Sequence, residues 1–70
     1  MAKAYDVTGN IIAFEMGELD AAGTVELFAY LVRTGMAWTL QGSYGRAACQ
    51  LIERGILSRT GNVLRMPEGA

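Results

Sequence analysis

The chain has 70 residues, a formal net charge of −1, a single cysteine and no histidine. A chain of this length forms one small domain that buries only about 60% of its unfolded surface, so its margin of stability is thin. A disulfide within the chain and a zinc site built from cysteine and histidine are both excluded. Because self-association is the remaining common way to stabilise so small a domain, we expect a homo-oligomer.

We expect neither a membrane segment nor an export signal. No stretch reaches the roughly 18 consecutive apolar residues of a membrane span, and the first residues lack the apolar core of a signal peptide. The unpaired Cys49 is typical of a reducing compartment. These features predict a cytoplasmic protein with no membrane partner.

Charge is divided unevenly between the two halves of the chain. Residues 1–32 carry one lysine against five acidic side chains, a net charge of −4, and residues 33–70 carry five arginines against two acidic side chains, a net charge of +3. Such a division steers association with another copy or with an acidic partner, or it is simply an ordinary solvated surface.

The first predicted element covers residues 11–16, which are apolar at nearly every position, so periodicity does not separate a helix from a strand. Gly17 follows where a helix C-cap would stand, and Asp20 stands where the next helix would need an N-cap. These flanking residues favour a helix, a Gly-Glu-Leu turn and a second helix.

The clearest element is the second helix, predicted over residues 21–34. Its apolar stripe recurs at helical spacing and consists of Val25, Leu27, Phe28, Leu31 and Val32. Gly35 supplies the left-handed residue of the C-cap, and Arg33 lies near the negative end of the helix dipole.

A third helix is predicted over residues 43–54. Ser43 is a good N-cap, and Gly55 follows as the C-terminal cap. The predicted buried face consists of Ala47, Ala48, Leu51 and Ile52, and the predicted exposed residues are Gln50, Glu53 and Arg54.

The segment after the third helix contains Thr60-Gly61-Asn62, which echoes Thr8-Gly9-Asn10 near the start. Gly-Asn pairs favour tight turns, so we interpret both as ordinary turns. The second lies between two apolar runs and could turn a small β-hairpin, and the alternative is an extended tail. The sequence therefore predicts one mainly α-helical domain, residues 1–70, with its core in 11–56 and a hairpin or tail in 57–70.

Common catalytic machinery is missing, which predicts a non-enzymatic protein. Without histidine, the usual general base and the Ser-His and Cys-His pairs are unavailable. The acidic residues of 15–20 lie beside a helix start, where the helix dipole explains them. Cys49 follows Arg46 by one turn and could be reactive, but a lone cysteine among alanines is more often a packing residue. We expect no cofactor and no metal.

The segment from Trp38 to Arg46 is the best candidate for a binding site. Helix N-terminal N–H groups, a serine hydroxyl and an arginine together make a plausible anion site, although a capped helix start accounts for the same residues. Tryptophan in a short connector either fills the core from the side or anchors an interface. The candidate binding residues are Trp38, Gln41, Ser43, Tyr44 and Arg46.

The same segment carries a resemblance. Trp38, Leu40-Gln41-Gly42 and Tyr44-Gly45-Arg46 fit the pattern W-x-L-Q-G-x-Y-G-R, and residues 11–56 as a whole resemble a family of small, uncharacterised tailed-bacteriophage proteins. Ala29 stands where that pattern usually has glutamine and Arg33 where it commonly has an acidic residue, both expected on the outer surface of the second helix. The resemblance implies a phage accessory protein acting in the host cytoplasm and assigns no activity.

Three functional interpretations follow. The leading one is a homo-oligomeric accessory protein that binds a host or phage macromolecule. The second is a nucleic-acid-binding regulator that uses helix 43–54, which is weakened by the few cations on that helix. The third is capture of an anionic nucleotide at the helix start Ser43–Arg46, with Tyr44 or Trp38 stacking on the base.

Overall fold

The computed structural model describes residues 5–66, and these fold into a mainly helical domain. Three α-helices follow one another as α1 (Val7–Glu15), α2 (Ala21–Thr34) and α3 (Gly42–Glu53), and a one-turn 3-10 helix (Met36–Trp38) joins α2 to α3. No strand forms within residues 5–66. The prediction of a mainly α-helical fold class is therefore confirmed.

Helix α1 begins four residues earlier than the apolar run from Ile11 indicates. The carboxylate of Asp6 caps it by accepting a hydrogen bond from the Gly9 N–H at 3.1 Å, and the Asn10 side chain donates to the Asp6 carbonyl at 2.8 Å. The prediction of an ordinary turn at residues 8–10 is thus wrong, because an aspartate two residues upstream recruits them into the helix. The helix, turn and helix predicted around Gly17 are confirmed.

Helix α2 is the centre of the fold, and its predicted bounds and caps are confirmed. Asp20 accepts a hydrogen bond from the Gly23 N–H at 2.7 Å, and Gly35 closes the helix in the left-handed conformation with φ of 82°. Helices α1 and α3 and the 3-10 helix all pack against it. Its buried residues are Val25, Leu27, Phe28, Ala29, Leu31 and Val32.

Helix α3 starts one residue before the predicted N-cap. Gln41 occupies the N-cap position without a side-chain hydrogen bond, and Ser43 is the second helical residue, so the prediction that Ser43 caps this helix is wrong. The helix ends at Glu53, with Arg54 as C-cap. Of the predicted buried face, Ala48 is fully buried and the other three residues are partly buried.

The segment after α3 folds back on the domain without forming strands. A single antiparallel bridge joins Leu57 to Val63, and the Ser58 N–H donates to the Asn62 carbonyl at 2.8 Å. Leu57 is buried at 1% exposure, so this turn adds to the core. The predicted turn at residues 60–62 is present, whereas residues 67–70 of the predicted hairpin or tail lie outside the described residues.

Gly61 is the point at which this turn touches α2. Its φ is +94°, and a Cβ built on it would lie 2.7 Å from both the Ala29 carbonyl oxygen and the Arg33 nitrogen. The guanidinium of Arg33 donates back to the Gly61 carbonyl at 3.3 Å. Ala29, expected on the outer surface of α2, is instead buried at 2% exposure under this turn. The expectation for Ala29 is wrong because residues 57–63 cover that side of the helix.

Candidate functional site

Trp38 ends the 3-10 helix and lies against the flank of α3. A Cβ built on Gly45 would lie 3.7 Å from Trp38 Cε3 and 3.5 Å from the carbonyl oxygen of Ala37, so the indole packs directly on the α3 backbone. The same side chain is 51% exposed. One side of the indole is therefore packed, and the other side faces water.

Two shallow depressions border Trp38 on the outer side of α3. Both are lined by Trp38, Cys49 and Glu53. The larger has a volume of about 500 Å³ and extends past Gly45 and Arg46 to the start of α3. The smaller has a volume of about 300 Å³ and lies toward the end of α3. We define the Trp38 face as the following side chains of their lining: Trp38, Arg46, Cys49, Ile52, Glu53 and Arg59.

The Trp38 face and the core face are opposite sides of α3. Tyr44 and Ala48, one helical turn apart, are buried, and Arg46, Cys49 and Glu53 are exposed at spacings of three and four residues. Because 3.6 residues make one turn, these spacings keep the exposed three in one row along the helix. The row places charged groups around an aromatic and partly apolar centre, which is the usual composition of a protein interface.

Tyr44, a predicted binding residue, is part of the core and not of the Trp38 face. It is 6% exposed, and its ring packs against Phe14 and Phe28 with centroid distances of 5.9 and 6.0 Å. Its hydroxyl donates a hydrogen bond of 2.5 Å to the Glu15 carboxylate and so ties α3 to α1. Burial, followed by this hydrogen bond, raises the pKa of Tyr44 to about 12. Its ring is therefore not available to stack on a ligand.

Two other predicted residues, Gln41 and Ser43, are exposed at the start of α3. Neither lines the depressions beside Trp38. Arg46 does line the larger one, and its terminal nitrogen Nη1 would lie 3.3 Å from a Cβ built on Gly42, so the guanidinium folds back toward the helix start. Of the predicted set, the structure thus brings together Trp38 and Arg46.

Four residues of the Trp38 face were not predicted: Cys49, Ile52, Glu53 and Arg59. Cys49 is exposed, so the interpretation of it as a packing residue is wrong. The spacing of Arg46, Cys49 and Glu53 is a signal that could have found two of them, because it defines one side of a helix. Arg59 is brought in by the turn after α3, which no local pattern positions.

Groups that would hold a metal ion or an isolated polar ligand are not found in the described part of the chain. Within residues 5–66 no three His, Cys, Asp or Glu side chains cluster in a metal-binding arrangement. Over the same range, every buried side-chain nitrogen and oxygen has a hydrogen-bond partner. No helix in this range is long and apolar enough to cross a membrane.

Comparison with known proteins places the chain by its sequence. No curated protein and no solved structure matches it significantly. A family profile, that of Domain of unknown function (DUF7417), matches residues 1–70. Because the match spans the whole sequence, the chain belongs to the DUF7417 family.

Proposed function

We propose that the protein acts by binding a protein partner through the Trp38 face, as a homo-oligomeric phage accessory protein in the host cytoplasm. The phage setting rests on the W-x-L-Q-G-x-Y-G-R segment, and the binding role rests on the surface that this segment helps to form. No catalytic step is part of the proposal.

The single observation that carries it is the half-exposed indole of Trp38 between two depressions. Tryptophan and arginine are the side chains most enriched at the energetic centres of interfaces, where a ring of less important contacts excludes water from them. Here the indole is already held against α3 through Gly45, so little side-chain entropy is lost when a partner covers it. The flanking charges of Arg46, Glu53 and Arg59 would form the rim.

The test uses Cys49 as a probe, because it is the only cysteine of the chain and lies on the Trp38 face. A maleimide photo-cross-linker attached to Cys49 should yield covalent adducts in lysate of the host. Trp38→Ala should abolish them while leaving the circular dichroism of the domain unchanged.

A matched control moves the probe to another surface. Cys49→Ala combined with Glu18→Cys places it in the exposed turn between α1 and α2, where we expect no specific adduct. Adducts that are equally abundant at both positions, or that survive Trp38→Ala in a folded domain, would contradict the proposal.

Anion capture at the start of α3 is a second candidate, favoured by the fold-back of Arg46. The backbone N–H groups at the start of α3 have no side-chain cap, and the guanidinium of Arg46 lies beside them. Burial of Tyr44 leaves Trp38 as the stacking residue. Calorimetric titration with mono- and cyclic dinucleotides tests this, and binding weaker than about 100 µM, roughly −5.5 kcal/mol, counts against it.

Nucleic-acid binding receives less support from the geometry. Arg46 and Arg54 are separated by eight residues and more than two turns of α3, and Glu53 lies between them. Binding to a phosphate backbone needs several cations on one side and shows a steep salt dependence. A mobility-shift assay at low salt should therefore show no retardation.

A further inference from the structure

We propose that the partner of the Trp38 face is a second copy of this chain, docked antiparallel along α3 about a two-fold axis. This inference rests on the proposed function, since it names the occupant of the same surface. In such a dimer each copy contributes the same patch, so the patch must be complementary to itself.

The charges of α3 have the spacing that a two-fold axis requires. Arg46 and Glu53 are seven residues apart, two helical turns, and both are exposed in the row of the Trp38 face. An axis that passes beside α3 at the level between Cys49 and Gln50 brings Arg46 of one copy opposite Glu53 of the second copy. The reciprocal pair forms at the same time, so one contact surface yields two ion pairs.

Glu53, one of the two charges, is placed unfavourably with respect to the dipole of its own helix. Glu53 is the last residue of α3, at the negative end of the helix dipole, and α3 has neither an acidic residue in its first turn nor a basic one in its last. An antiparallel second helix would bring the positive end of its own dipole and an arginine beside that glutamate. The arginine of the second copy would add to the cations that already lie near this end of α3, which are the C-cap Arg54 and Arg65, the donor to the Arg54 carbonyl.

Neither charge is engaged elsewhere in the described residues. Arg33 and Arg65 each donate a hydrogen bond to a backbone carbonyl, of Gly61 and Arg54 respectively. The hydrogen bonds formed within residues 5–66 include none from Arg46 or to Glu53. Both side chains are thus free to meet a partner.

Trp38 also fits this arrangement. The indole lies level with Gly45 in the first half of α3, and the depression of about 300 Å³ that it borders continues along the same flank to Ile52, Glu53 and Arg59. A two-fold axis beside the middle of α3 places the N-terminal half of one α3 against the C-terminal half of the other. Both indoles stay on the same flank of the helix pair. Each indole then reaches the far end of the other copy's depression, where Arg59 can stack on it.

The Trp38 face carries both signs of charge, which suits a self-complementary partner. Arg46 and Arg59 lie with Glu53 along the depressions, and an antiparallel second copy supplies an arginine to Glu53 and a glutamate to Arg46. The net charge of −1 leaves little overall repulsion between two copies. One short helix per copy makes a small interface, so we expect a weak dimer.

The test is sedimentation equilibrium at protein concentrations from about 1 µM to about 1 mM, which cover the dissociation constants of weak dimers. The wild-type chain should show a reversible monomer–dimer equilibrium. Arg46→Glu and Glu53→Arg should each weaken it about tenfold or more, since each puts like charges opposite one another. An equimolar mixture of the two variants should recover dimers, because both cross-pairs are then opposite in sign.

Arg54→Glu is the matched control. It makes the same change of charge as Arg46→Glu, but Arg54 lies away from the Trp38 face and borders Phe14 on another side of α3. We expect its dimerisation to equal that of the wild type. A short bis-maleimide should link two copies through Cys49, beside the axis, in the wild type and in Arg54→Glu but not in Arg46→Glu.

Sedimentation and cross-linking at Cys49 together separate the dimer from the proposed function. A chain that stays monomeric at about 1 mM overturns the dimer, and so does a mixture of the charge variants that remains as monomeric as each alone. If Cys49 adducts then depend on Trp38 and contain a different protein, the proposed function stands. If Cys49 forms no Trp38-dependent adduct of either kind, both proposals fall.

Discussion

Gly61 and Gly45 each let the backbone lie close to a neighbouring segment, but the two contacts differ in how tight they are. At Gly61 the turn after α3 touches the backbone of α2, and a Cβ would lie 2.7 Å from two backbone atoms. A Cβ built on Gly45 would lie 3.5 Å or more from its nearest neighbouring atoms, which is an ordinary van der Waals distance. The first contact is closed and holds the fold together, whereas the second leaves the indole of Trp38 half exposed. In both cases the glycine indicates that two segments lie close together. Only the distances in the structure show that the contact at Gly61 excludes a side chain and the contact at Gly45 does not.

The largest expected effect is that of Gly61→Ala, which tests the closed contact. The new Cβ would overlap backbone atoms that cannot rotate away, and its φ of +94° is strained for any L side chain. We expect the free energy of unfolding to fall by about 2–4 kcal/mol. Urea denaturation followed by circular dichroism measures this loss.

Gly17→Ala separates the two causes. Its φ of +75° imposes a similar backbone strain, but a Cβ there meets nothing within 4 Å. Its cost should be about 1–2 kcal/mol, that of the left-handed conformation alone. Equal losses in the two variants would mean that the contact between Gly61 and α2 contributes nothing beyond backbone strain.

The next effect concerns Tyr44, which lies on the core side of the helix that carries the Trp38 face. Tyr44→Phe keeps the ring among Phe14 and Phe28 but removes the hydrogen bond to Glu15. A hydrogen bond to a charged acceptor is worth about 1.5–3 kcal/mol, and we expect a loss near the lower end because Glu15 is exposed and water replaces the donor. The difference between wild type and variant in urea denaturation measures it.

The Tyr44 hydroxyl also predicts a dependence on alkaline pH. Its pKa is raised from 10.0 to about 12 in the folded chain, so the unfolded chain loses this proton first. The stabilisation is therefore complete below pH 10 and is lost as the pH rises toward 12. The stability difference between wild type and Tyr44→Phe should shrink over that interval, and a difference that stays constant would contradict the assignment.

Much of the fold could be predicted because its signals are local. The bounds of α2 follow from Asp20, Gly35 and the apolar stripe between them, all of which act within one or two turns. The capping propensity of Ser43 predicts a later start of α3, whereas the N-cap in the structure is Gln41, which makes no side-chain hydrogen bond. Propensity is outweighed there by the packing of Trp38 and Tyr44 on either side of the helix.

The candidate site could be predicted only in part, for a geometric reason. Tyr44 lies one helical turn before Ala48 and so shares the spacing of the buried face, but the predicted face begins at Ala47 and Tyr44 is predicted as a binding residue. Arg59 joins Trp38 through the fold-back at Leu57 and Val63. Contacts of this range depend on tertiary packing, which no local pattern contains.

A smaller effect on stability is expected for Trp38→Ala, which tests the half-exposed contact between the indole and Gly45. Half of the indole is already in water, so its removal should lower the free energy of unfolding of the monomer by about 1 kcal/mol, well below the 3–5 kcal/mol of a buried tryptophan. The measurement should be made at a protein concentration of about 1 µM, below the range of the proposed dimer, because association adds to apparent stability. A loss as large as that of Gly61→Ala would show that the Trp38 contact belongs to the core.

The smallest effect, and one of opposite sign, is expected for Gly45→Ala. The new methyl group would find ordinary contact distances of 3.5 Å to the Ala37 carbonyl and 3.7 Å to the indole, so the structure has room for it. Alanine in a helix interior is favoured over glycine by about 0.5–1 kcal/mol, and the unfolding midpoint should rise accordingly. Because this methyl group would lie between the indole and α3, it should leave the row of Arg46, Cys49 and Glu53 free, and the dimerisation of Gly45→Ala should equal that of the wild type. A variant that is more stable as a monomer and dimerises as the wild type does would show that the contact of Trp38 with α3 serves the fold of one chain. If Gly45→Ala destabilises the monomer instead, the contact between Trp38 and α3 has no room for a methyl group, as is the case for the contact between Gly61 and α2.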